Sequence, residues 1–156
     1  SPIWQVKDRT GRALKGGVDY NVSYPKGMKN VGKYTVKVTF KENYSGSKTL
    51  TYTINPKGTG VSKVTAAKKG FKVTWKKQKT QTTGYQVQYS TDKNFKKNNK
   101  TVTISKNNTT SKSVGKLKAK KKYYVRVRTY KIVKFGGKSV KLYSGWSKAK
   151  SVTTKK

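Results

Sequence analysis

Acid–base and nucleophilic chemistry in a protein usually rests on histidine, cysteine, or carboxylates held close enough to split their pKa values. This chain offers Asp8, Asp19, Glu42 and Asp92, with no histidine and no cysteine. The acids are scattered along the sequence and never paired. Zinc and redox metals draw on Cys and His, and Ca²⁺ needs several clustered oxygens, so no metal centre can be composed from this set. Serines and threonines are abundant, but no His or Asp is positioned to activate one as a nucleophile. The glycine pairs in Lys15-Gly-Gly17 and Phe135-Gly-Gly137 lack the strand–loop–helix context of a phosphate cradle and read as hairpin turns. No catalytic residue, cofactor or metal is expected. The chain reads as one that binds or spaces.

Against four acids stand 39 lysines and arginines, a formal net charge of +35. Arginine occurs only at Arg9, Arg12, Arg126 and Arg128. Lysine lacks the rigid fork that reads phosphates and base edges bidentately, so this surface suggests diffuse attraction rather than site recognition. Hydrophobic residues make up 31% of the chain but aromatics reach 12%, including 11 Tyr and 3 Trp, too many for a disordered polycation. No apolar run approaches about 20 residues, so no membrane span is expected. The absence of cysteine excludes a disulfide scaffold and leaves the compartment open. The opening Ser1-Pro-Ile-Trp4 is neither a start methionine nor a signal peptide, and suggests an excerpt of a longer protein.

Elements that could position a binding surface follow from period-two alternation. Segments 32–40 and 48–54, then 71–75, 84–89, 100–104 and 123–130, place β-branched or aromatic residues at every second position, with Lys, Thr, Arg or Gln between. That is the pattern of antiparallel strands with one buried face. Turn signals recur at Arg9-Thr-Gly11, Tyr24-Pro-Lys-Gly27, Asn43-Tyr-Ser-Gly46, Lys106-Asn-Asn-Thr109 and Phe135-Gly-Gly137. No segment shows a helical stripe. The expected fold is all-β, with short strands forming β-sandwiches. Asn55-Pro-Lys-Gly-Thr-Gly60 is the best break, because proline stops a strand and two glycines allow a bend.

The second part resembles a fibronectin type III domain. Phe71-Lys-Val-Thr-Trp75 is similar to that family's second strand with its core Trp, and Thr83-Gly-Tyr-Gln-Val-Gln-Tyr89 to its third. Leu117, followed by Tyr123 and Val125-Arg-Val127, resembles the corner-forming Leu and Tyr that lead into the sixth strand. Ser144-Gly-Trp-Ser-Lys148 and Ser151-Val-Thr-Thr154 look like the last strand and exit. The proline common two residues after the corner Leu is Ala119 here. The first part is similar to short bacterial Ig-like repeats of cell-surface proteins, through Gly17–Tyr24, Asn30-Val-Gly-Lys-Tyr34, Asn43-Tyr-Ser-Gly46 and Tyr52-Thr-Ile54. A strand that normally precedes the Trp4 segment is missing, so this module is expected to begin in mid-domain. The resemblances imply an Ig-like module over 1–56, a linker over 57–60 and a fibronectin type III domain over 61–156.

Two candidate sites emerge. If Tyr123, Val125 and Val127 point inward, then Tyr124, Arg126, Arg128 and Tyr130 point outward, beside Gln86 and Gln88 of the neighbouring strand. Trp146 could stack on the two arginines as a cation–π ladder, serving either as an aromatic-basic platform or as a stiffener worth roughly 0.5–1 kcal/mol per exposed contact. The second is the run Lys116, Lys118, Lys120, Lys121 and Lys122, read either as a grip for phosphates or sulfated sugars or as a solvated loop. Asn-X-Ser/Thr tripeptides such as those at Asn21, Asn43 and Asn107 match the N-glycosylation pattern; in a bacterial protein they carry no meaning. No Arg-Gly-Asp tripeptide supports integrin-type adhesion.

The resemblance implies a secreted or wall-attached bacterial surface protein with an adhesive or spacing role. Its expected partners are anionic glycans, cell-wall polymer or host surface proteins, with weak self-association through an exposed edge strand. Nucleic-acid binding, the first suggestion of the charge, is disfavoured by scarce arginine and by charge spread everywhere; an accessory module of a secreted hydrolase is the other alternative. Mutual repulsion among 35 excess charges should destabilise the fold at low ionic strength. The melting temperature is therefore expected to rise from low to moderate salt, and a scanning calorimeter would detect an unchanged or lower value.

Overall fold

The computed structural model describes residues 4–41 and 44–156. Ser1, Pro2 and Ile3 of the opening segment, Glu42, and Asn43 of the expected 43–46 turn lie outside them. The chain divides into two compact units, Ser1–Ile54 and Asn55–Lys156. Among the described residues both are built from strands and turns, with no helix.

In the first unit, β1 (Tyr20–Ser23), β2 (Gly32–Phe40) and β3 (Ser47–Ile54) form one antiparallel sheet in that order. Register places Tyr20 opposite Phe40, Val22 opposite Val38, Val36 opposite Leu50 and Tyr34 opposite Tyr52, so the alternating apolar residues share one face. Val36 and Val38 are buried there. Trp4 meets the Tyr52 ring edge-on at 6.2 Å. Segment 5–19 makes turns and isolated bridges, Lys7 with Ala13 and Gly16 with Tyr20. Carboxylates fix these turns: Asp8 Oδ1 accepts from the N–H groups of Thr10 and Arg12, and Asp19 Oδ2 from that of Lys15.

The second unit is a two-sheet sandwich. One sheet runs β4 (Val61–Ala67), β5 (Gly70–Trp75) and β8 (Ser111–Val114). The other runs β7 (Lys100–Ile104), β6 (Gly84–Ser90) and β9 (Lys122–Phe135), with β10 (Lys138–Tyr143) and β11 (Lys150–Thr153) both pairing with β9. Phe71, Val73 and Trp75 face Tyr85, Val87, Val125, Val127 and Tyr123 across the core. Tyr85 is fully buried, yet its hydroxyl donates to the Asn107 carbonyl at 2.8 Å and accepts from the Gln78 N–H at 2.8 Å. The 57–60 segment, expected as a linker, bonds into this unit: the Thr129 hydroxyl donates to the Lys57 carbonyl, and Gln78 Nε2 donates to that of Gly58.

The expected last strand over 144–148 is not a strand. Its pairing with β9 is interrupted between β10 and β11, where side-chain hydroxyls replace backbone carbonyls as acceptors. Ser144 Oγ accepts from the Thr129 N–H and Ser147 Oγ from the Val127 N–H, each at 3.0 Å. Ser144 and Ser147 N–H groups still donate back to β9, at 3.1 and 2.8 Å. The chain therefore stays attached while 144–149 leaves the regular pleat.

Gly84 shows how tightly β6 is held. A Cβ there would lie 2.0 Å from the Ile104 carbonyl oxygen and 3.1 Å from Tyr130 Cε1. The first obstacle is backbone and cannot rotate away. Gly84→Ala is expected to cost about 1–3 kcal/mol through overpacking, read by denaturant unfolding; a neutral effect would mean β7 yields easily.

Candidate functional site

The pleat sends Arg126 and Arg128 of β9 to the outer face of the larger sheet, where register sets Arg126 opposite Gln88 and Arg128 opposite Gln86. Gln88 stands opposite Thr101 and Gln86 opposite Thr103 on β7. Two rungs result. Gln86 Oε1 accepts from Arg128 Nε and Nη2, at 3.0 and 2.7 Å, while its Nε2 donates to the Thr103 hydroxyl at 3.1 Å. Gln88 Oε1 accepts from Arg126 Nε at 2.8 Å, and its Nε2 donates to the Thr101 hydroxyl.

Aromatic rings then cover the guanidinium faces. Trp146, carried out of the strand by the two serine bonds, lies 4.7 Å from Arg126 and 4.2 Å from Arg128. Tyr143 covers Arg128 at 3.8 Å and Phe95 covers Arg126 at 4.0 Å. The sequence runs Tyr143–Arg128–Trp146–Arg126–Phe95 as one ladder. Burial, and then the charge of Arg128, hold Arg126 below the ordinary arginine value; burial does the same to Arg128. Among the described residues, no carboxylate enters the ladder. Amide oxygens and ring faces take the place of counter-ions.

Of the expected platform, Arg126, Arg128 and Trp146 come together. Tyr130 does not offer a surface: it is 2% exposed, packed near Tyr143 and under the Lys141 ammonium. Alternation gave its face correctly but could not show its cover. Tyr124 stands apart, with the Lys122 ammonium 5.5 Å from its ring centroid. Phe95 and Tyr143 were not anticipated as rungs. Phe95 sits in a lysine-rich loop without periodicity, and a lone large apolar residue there was the available signal.

Lysines 116–122 also divide. Lys116, Lys118 and Lys121 line a cavity of about 670 Å³ that also includes Lys100, Tyr89 and Tyr123. Lys120 and Lys122 do not line it. The corner residues hold this loop: the Lys118 N–H donates to the Tyr123 hydroxyl at 3.4 Å and the Leu117 N–H to the Lys69 carbonyl at 2.9 Å. Lys100, on β7, joins from a distant stretch of sequence, which is why the lysine run alone did not reveal it. Among the described residues, no group of three or more His, Cys, Asp or Glu could hold a metal, and no helix is long and apolar enough to cross a membrane.

This two-sheet sandwich with its strand-to-strand tyrosine corner defines an Ig-like architecture. The sequence profile of the fibronectin type III domain matches residues 55–144, and the chain belongs to that family. Such a domain is typically a non-catalytic module. Among solved structures, the chain is similar to the FN1–FN3 domains of chicken CNTN1, with 22% identity and a TM-score of 0.53, covering 85% of this chain and 46% of that one. It is also similar to a β-1,2-glucanase from Parabacteroides distasonis (15% identity, TM-score 0.48, covering 79% of this chain and 18% of that one). Domains A168–A170 of titin give 17% identity and a TM-score of 0.45, covering 92% and 51%. The chain thus spans about half the length of the first of these, or less in the glucanase. No curated protein matches it.

The Phe95 rung depends on Asp92. Its Oδ1 accepts from the Asn94 N–H and its Oδ2 from those of Lys96 and Lys97, folding the loop around Phe95, whose φ is +53°. These backbone bonds, that of Asn94 first, hold Asp92 below its ordinary 3.8. Its contribution to stability is complete above that value and lost as pH falls through the lower folded value. Asp92→Ala should lower the melting temperature at neutral pH and flatten its acid decline; identical acid limbs in the two proteins would contradict this role.

Proposed function

We propose that this chain is a pair of non-catalytic modules from a bacterial secreted or cell-surface protein, serving adhesion or spacing by electrostatic attraction to anionic glycan or wall polymer. The observation that carries this reading is where the carboxylates go. Asp8, Asp19 and Asp92 all bond backbone N–H groups at turns. The lysine coat is thus left to find its counter-charge outside the molecule. The first unit would be the Ig-like module and the second the fibronectin type III module. The fold supports a structural role, and the long edge strand β3, which pairs on one side with β2, supports weak self-association.

Nucleic acid is the weaker reading. Its recognition favours arginine at base edges, and the two arginines of β9 already have their faces and one edge occupied within the ladder. Immobilised sulfated polysaccharide, polyglycerol phosphate, a neutral glucan and duplex DNA should be compared at ~150 mM salt. Binding to the anionic polymers above the neutral one, falling as salt rises, is expected. Sequence-selective DNA binding that persists at that salt would overturn the reading.

A further inference from the structure

The cavity between the loop after β6 and the loop before β9 collects cations without any carboxylate. Lys100, Lys116, Lys118 and Lys121 line it, and no acid is among its lining residues. Separation of those charges by loop movement is opposed by the bonds that pin the loop. Lys120 and Lys121 N–H groups donate to the carbonyl and hydroxyl of Thr154, which is 2% exposed. Lys118 is pinned by the Tyr123 hydroxyl. Two lining residues, Lys116 and Asn98, have left-handed backbones, with φ of +59° and +57°. Asparagine tolerates that region; lysine adopts it at a cost that glycine would avoid, and here it turns the chain after β8 at the cavity wall. Strain of this kind concentrates where a site is being shaped.

We propose that this cavity binds a phosphate- or sulfate-bearing sugar or polyol unit of an anionic glycopolymer, an address that rests on the function proposed above. The chemistry of the lining selects the class. Ammonium groups are compact, strongly hydrated point charges, suited to a tetrahedral oxyanion from several sides, where guanidinium would favour planar bidentate pairing. Tyr89 and Tyr123, edge-to-face at 6.2 Å, and Leu117 give an apolar wall for the carbon face of a sugar or polyol. The Asn98 amide donates to the Thr91 hydroxyl at 3.4 Å, which leaves the Thr91 proton and the Asn98 carbonyl oxygen to bond ligand hydroxyls. Burial, then Tyr123, push the Tyr89 phenol above its ordinary value, so it remains a neutral donor at physiological pH. A volume of about 670 Å³ falls within the range of about 300–1,000 Å³ typical of ligand sites.

The test compares the full chain with two charge-matched triple variants. One carries Lys116→Gln, Lys118→Gln and Lys121→Gln in the cavity. The other carries Lys63→Gln, Lys72→Gln and Lys112→Gln, three exposed lysines of the smaller sheet. Fragments of polyglycerol phosphate and of sulfated polysaccharide are titrated calorimetrically across a salt series, with duplex DNA alongside. The cavity triple should weaken binding of at least one fragment about tenfold or more, and lower the salt slope by about one for each contacting lysine. The control triple should weaken it far less. The fragment that responds identifies phosphate or sulfate as the source of the anion. Amide shifts in the unsubstituted chain should concentrate at Thr91, Asn98, Lys100 and 115–123, a readout that does not depend on any variant folding. Equal losses in both triples, or shifts spread over the whole surface, would overturn the site while leaving the general electrostatic reading standing. No binding of either fragment by the unsubstituted chain would sink both. Tighter binding of duplex DNA in the same cavity would overturn the ligand class.

Discussion

A chain with 39 basic and 4 acidic side chains must fold with almost no opportunity for ion pairing. Everything that holds it has to work without counter-charges: apolar burial between sheets, the backbone ladders, and polar groups that are neutral. The described carboxylates are too few to neutralise the surface, and each is taken up where a turn would otherwise leave backbone N–H groups unbonded. Lysines tolerate this because their ammonium groups reach water from the outward positions of alternating strands. The two arginines of β9 are instead half-buried on the outer face of the larger sheet.

The ladder is the solution for those two. Each guanidinium presents one edge to a glutamine oxygen and its faces to rings, so the charge is met by dipoles and quadrupoles. The same device ties separate pieces of the chain together. Trp146 reaches its place only because Ser144 and Ser147 bond β9 through their hydroxyls and release the chain from the pleat. Phe95 reaches its place only because Asp92 folds the preceding loop. With its faces and one edge so used, the ladder ties β9 to its neighbours, and in our proposal an external anion is met instead by the lysines of the pinned corner loop.

Much of this was legible in sequence. Alternation located β2 and β7 at their observed bounds, and the Phe71–Trp75 and Tyr123–Val127 patterns identified the inward residues of the sandwich. Leu117 and Tyr123 marked the corner whose hydroxyl now restrains Lys118. Alternation assigns a face, however, and cannot say what covers it; Tyr130 is buried on the outer face for that reason. The break between β10 and β11 was hidden because serine hydroxyls replaced carbonyl acceptors without disturbing composition. The first unit read as a sandwich because its strands alternate as a sandwich's do, whereas segment 5–19 is held by turn bonds rather than by a second ladder. Lys100 entered the cavity through strand pairing, which joins residues far apart in the chain.

The central claim is that aromatic and amide contacts, in place of ion pairs, stabilise the half-buried arginines of this fold. A double-mutant cycle on Arg128 and Trp146, with Arg128→Met and Trp146→Leu measured singly and together at low and high salt, tests it directly. The account predicts a coupling of about 1 kcal/mol that survives high salt, because the contact is short and half-buried and is therefore screened less than an exposed pair. A coupling near zero, or one that vanishes as salt is added, would contradict it.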